Sequence, residues 1–98
     1  MITLISQRVE NLVQNRPRPF TSHGVTTVLI ADYNPEWQHF VGSYSGTRLV
    51  QERKAVQQLG RFLGRNANRL NISRGRTIPH PIIEGLTGHN PRETTEWL

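Results

Sequence analysis

The chain has 98 residues, with 12 Lys and Arg against 7 Asp and Glu, for a formal net charge of +5. Only 35% of residues are hydrophobic, and no run approaches the ~18 apolar residues of a membrane span, so one small core and no membrane partner are expected. Cys is absent, which excludes disulfides, iron–sulfur clusters, thiolate zinc sites and cysteine nucleophiles.

The expected fold class is α+β, in a single small basic domain over 1–98. Residues 2–15 predict a helix, because Ile2, Ile5, Val9, Leu12 and Val13 recur at helical spacing. Arg16-Pro17-Arg18-Pro19 ends it, since each proline disfavours helix at the residue before it. Residues 25–33, VTTVLIADY, are β-branched and almost continuously apolar, which predicts a strand covered on both faces. Asn34-Pro35-Glu36 has turn chemistry, and 37–44, WQHFVGSY, would return as the second strand of an antiparallel hairpin. His39 alternates with Trp37 and Val41 there, so it is expected half-buried.

A second, basic amphipathic helix is expected over 48–64 or 48–70. Leu49, Val56, Leu59, Leu63 and Leu70 share an arc of about 80° on a helical wheel, and Lys54, Arg61, Arg65 and Arg69 share an opposite arc of about 80°. Residues 71–79 suit a short strand or an exposed basic loop. Residues 80–98 are rich in Pro, Gly and Thr. A turn of helix is expected at 82–86, and another from near Arg92, with Asn90 as cap and Pro91 at the first position.

The charge is concentrated. Residues 48–76 hold Arg48, Arg53, Lys54, Arg61, Arg65, Arg69, Arg74 and Arg76 against Glu52 alone, whereas 1–47 sum to zero and 77–98 are net acidic. Such a cluster is the electrostatic footprint of a nucleic-acid partner. The ridge Lys54, Arg61, Arg65 and Arg69 is the expected phosphate-binding face. No zinc-finger spacing, aromatic-rich RNA-binding signature or helix-turn-helix pattern is present, and few aromatics are placed to stack bases.

The segment PHPIIEGLTGH brings His80, Glu84 and His89 close in sequence, just after Arg74 and Arg76. Metal-independent ribonucleases need a base, an acid and a cation for the phosphate. His80 and His89 would be base and acid, Glu84 would support them, and Arg74 or Arg76 would stabilise the phosphorane. No metal and no cofactor are required. The plainer alternative for these histidines is a solvated loop.

The stretch RPRPFTSHGVTTVLIADYNPEWQHFVGSYSGTRLVQERKAV resembles, in layout and residue character, the front half of the deaminase-like domains found at the ends of bacterial polymorphic toxins. Those domains similarly open with a helix, a hairpin and a further helix. The family's zinc site needs a His/Cys-Ala-Glu-type motif and a later Pro-Cys-x-x-Cys, which this cysteine-free chain lacks. The resemblance therefore implies a non-catalytic relative or a fragment.

The function expected from sequence is a small nucleic-acid-directed effector domain, RNA before DNA, acting as a metal-independent ribonuclease-type toxin or as an RNA binder. The alternative is a non-catalytic deaminase-like fragment, or an interaction module whose Trp97, Leu98 and Ile82-Ile83 need a partner's cover. An acidic protein partner, such as an immunity-type inhibitor, would match the basic face. The N-terminus lacks the cationic leader and apolar run of a signal peptide, which suits the cytoplasm or delivery into a target cell's cytoplasm.

Overall fold

A computed structural model of the chain describes residues 1–79, 83, 85, 86 and 93–98. A 3-10 turn, Ile2–Leu4, leads into helix α1, Ser6–Gln14. Ile5, Val9 and Val13, spaced by four, turn one face of this segment into the core. Strand β1 is only Phe20–Thr21.

Thr21 then caps helix α2, Ser22–Asp32, its Oγ1 accepting a hydrogen bond from the Gly24 N–H at 2.9 Å. This segment is the first correction, since the sequence predicts a strand here. Val25, Thr26 and Leu29 are buried at helical spacing. The Thr26 and Thr27 hydroxyls donate to the carbonyls of Ser22 and His23 at 3.0 and 2.9 Å, so their polarity is absorbed by the helix's own backbone.

Helix α3, Asn34–Gly42, replaces the expected return strand. Asn34-Pro35-Glu36 opens this helix rather than turning a hairpin. Proline fits the first turn, where its missing N–H costs nothing, and Glu36 adds an acid at the positive end. Trp37, Phe40 and Val41 are fully buried. The Trp37 and Phe40 rings meet edge-on at 5.9 Å, and Phe40 and Tyr44 at 5.5 Å. His39 is exposed on α3, not half-buried. The helical pair also replaces the hairpin on which the deaminase-like layout was drawn.

Gly46, at φ +111°, makes the turn into helix α4, Arg48–Arg65, which Thr47 caps. Glu52, Ala55, Leu59 and Leu63 form its buried line, whereas Leu49 is exposed. Of the two expected ends, 64 and 70, the structure takes the shorter: α4 stops at Arg65 and the helix is interrupted at Asn66. A separate turn, α5, spans Ala67–Leu70 and ends at Asn71 in the left-handed conformation.

Strand β2, Arg74–Pro79, realises the strand option for 71–79. Strand β3, Glu93–Trp97, lies where a helix from Arg92 is expected; Asn90, Pro91 and Arg92 fall outside the described residues, as do Ile82 and Glu84, and the described members of 82–86 are not helical, Gly85 having φ +90°. The sheet is antiparallel in the order β1-β3-β2. Phe20 pairs with Trp97, and Thr77 with Thr95, with an irregularity between Arg74 and Thr77. Trp97 and Ile83 are buried in the chain's own core, so neither needs a partner's cover. Leu98 remains half exposed. Helices beside a three-stranded antiparallel sheet make the chain α+β. Among the described residues, no helix is long and apolar enough to cross a membrane.

Candidate nucleic-acid interface

Helix α4 presents two chemically opposite lines. Its buried line faces α2 and α3. On the outside, Arg53, Gln57, Arg61 and Arg65 are all exposed. Each step of four residues advances about 40° around the axis, so these side chains form one slowly winding stripe about 18 Å long. The helix's one acid, Glu52, is fully buried, and Arg48 Nε donates to it at 3.2 Å. The stripe is therefore free of carboxylates along its own helix. Among the described residues, no ion pair holds Arg53, Arg61 or Arg65.

The structure divides the expected ridge. Arg61 and Arg65 are on the stripe. Lys54 is half-buried, and its Nζ donates to the Ser45 carbonyl at 3.2 Å, bracing the α3–α4 connection. Arg69 lies on α5 and is ion-paired with Glu10 of α1, while its Nη2 donates to Asn66 Oδ1 at 3.0 Å. Sequence reasoning missed Arg53 and Gln57. A single wheel through residue 70 draws the polar arc from Arg61 to Arg69 and leaves Gln57 and Arg53 outside it, but the helix axis is broken at Asn66. Spacing by four from Arg61, backwards through Gln57 to Arg53, was the signal that could have found them.

Of the expected catalytic group, His80, Glu84 and His89 lie outside the described residues. Arg74 and Arg76 lie on β2. Arg76 is largely exposed, with Nε 3.4 Å from Glu96 Oε1 on the neighbouring strand. The Arg74 guanidinium carbon stands 5.0 Å over the Trp97 ring, and Nη1 donates to Thr95 Oγ1 at 3.3 Å.

Between α4 and the sheet runs an open groove of about 470 Å³, lined by His23, Gln57, Arg61, Arg74, Glu93 and Thr94 among others. Its floor is built by the junction of α2 and β3. The backbone N–H of His23 donates to Thr94 Oγ1 at 3.2 Å, and the Trp97 indole N–H donates to Ser22 Oγ at 2.9 Å. Both Ser22 and His23 are buried. Gly60 contributes bare backbone to the same wall; a Cβ there would meet nothing within 4 Å. Among the described residues, no cluster of three His, Asp or Glu side chains is placed to hold a metal ion.

The contact between α1 and α3 shows how arginine is used for structure. Arg8 grips Glu36 through Nε and Nη2 at 3.0 and 2.9 Å and lies 4.2 Å from the centre of the Tyr33 ring. The hydrogen bond to Glu36 raises its pKa above the usual value for arginine. Comparisons of the chain with protein-family models, curated proteins and solved structures found no match.

Proposed function

We propose that this chain binds double-stranded DNA, laying the outer stripe of α4 along the duplex with the β2–β3 strands beside it. The observation that carries this reading is the exposed, acid-free stripe of Arg53, Gln57, Arg61 and Arg65, with Arg74 across the adjoining groove. Guanidiniums form bidentate hydrogen bonds with phosphates and with guanine edges, and a glutamine amide matches adenine. A B-form major groove, about 12 Å wide, admits an α-helix. The major groove of A-form RNA is too deep and narrow for side chains to read. An exposed rigid helix therefore favours DNA over the RNA expected from sequence.

The test is binding of the full chain to duplex DNA and duplex RNA across about 50 to 200 mM salt. DNA affinity should fall steeply with salt, and duplex RNA should bind more weakly. Replacing Arg53, Arg61 and Arg65 by Gln should make the log–log slope shallower by about 2.7, at about 0.9 per lost phosphate contact. A flat salt response, or a wild-type slope in the triple variant, overturns the reading. Discrete RNA fragments formed in excess EDTA would restore the ribonuclease expectation instead.

A further inference from the structure

Arg74 is held in place from three directions, and among the described residues no carboxylate does the holding. Its guanidinium stacks on Trp97, Nη1 donates to Thr95 Oγ1, and Nη2 occupies the space where a side chain at position 64 would begin. A Cβ built on Gly64 would stand 2.9 Å from that nitrogen. Trp97 is itself buried and tied to Ser22, so the platform belongs to the core and does not move with solvent. Among the described residues Arg74 has no ion pair. Among the described residues, one of its five N–H donors is used.

Arg61 lines the same groove from α4. Glu93 is the acid of the groove, and among the described residues it pairs with neither arginine. Among the described lining residues, two guanidiniums stand against one carboxylate. A preformed guanidinium fork without a carboxylate suits an oxyanion of the same geometry.

We propose that this groove takes one phosphodiester group of the duplex backbone, gripped by Arg74 with Arg61, and so fixes the register of α4 on the DNA. The inference rests on the duplex-DNA reading above. Gly64 is a positioning residue in it: the missing side chain is what lets the Arg74 guanidinium lie across α4 onto Trp97.

The test follows the two tryptophan indole N–H resonances of the isotope-labelled full chain. Duplex DNA should move the Trp97 resonance and leave that of the fully buried Trp37 in place. Arg74→Gln should abolish that shift, make the log–log salt slope shallower by about 0.9, and weaken binding about eightfold at roughly 0.1 M salt. Gly64→Ala should raise Tm, because alanine is the better helix former, and yet weaken DNA binding, because the new Cβ displaces Arg74. Wild-type affinity and slope in Arg74→Gln, or an unmoved Trp97 resonance under tight binding, overturns the groove site and leaves the duplex reading standing. Absence of salt-dependent duplex binding by the wild type overturns both. If inorganic phosphate moves the Trp97 resonance and duplex DNA does not, the site takes free phosphate and the backbone assignment falls.

Discussion

Arginine does two different jobs in two regions of this molecule. Around α1, three arginines are tied into the fold: Arg8 to Glu36, Arg69 to Glu10, and Arg18 to the carbonyls of Leu70 and Asn71 at the end of α5. On the α4–β2 side, Arg53, Arg61 and Arg65 stand without ion pairs among the described residues, and Arg74 rests on an aromatic ring. The number of cations is similar, but the placement of carboxylates differs. A footprint for a polyanion is therefore defined by where acids are withheld, and a simple count of charge overstates it.

The comparison can be broken most directly by exchanging the two groups. Gln at Arg53, Arg61 and Arg65 should lower affinity for duplex DNA roughly 500-fold at about 0.1 M salt and leave Tm nearly unchanged. Gln at Arg8, Arg18 and Arg69 should lower Tm and move the salt slope by less than about 1. If both triples weaken binding equally, the two sides are not distinct.

Next in size is the core that both sides share. Trp37→Ala removes a fully buried ring and should cost about 3–5 kcal/mol, read from urea unfolding. A loss below about 1 kcal/mol would mean that α3 is not packed as described. Smaller again is the cap that starts α2: Thr21→Ala should cost about 1 kcal/mol, and Thr21→Ser should recover most of it. The smallest effect concerns Tyr44. Burial raises its phenol above the usual 10.0, so the fold favours the neutral form. Its contribution is present below pH 10 and is lost as pH rises through the folded-state value. Melting between about pH 9 and 11 should show that decline, and Tyr44→Phe should lessen it.

Helices α1 and the bulk of α4 were legible in the sequence because their apolar residues keep a 3.6 period against a polar background. Helix α2 was not. Val25, Val28, Leu29 and Ile30 run around the segment without a polar stripe, and β-branched residues favour a strand on local preference alone. Tertiary burial and two threonine hydroxyls turned back on the helix backbone overrode that preference. Helix α3 carried a readable signal: Trp37, Phe40, Val41 and Tyr44 are at helical spacing, and Asn-Pro-Glu is as good a helix start as a turn. Strand β3 was hidden because its identity depends on pairing with Phe20 and Thr77, far away in sequence. For the site, the basic segment was legible. Which of its members are already engaged within the fold required knowing that Arg69 meets Glu10 and that Lys54 reaches Ser45.

The central strand of the sheet follows every other described element in the chain. Seventy-five residues separate Ser22 from the Trp97 indole that it accepts, so β1 and β2 have no partner between them until β3 has been made. During synthesis the helices can close through near-neighbour contacts while the sheet waits on a long loop closure. Because β3 also supplies one wall of the groove, a nascent chain acquires its basic helix early and its groove last. Partly made copies would then carry the basic helix without the groove beside it.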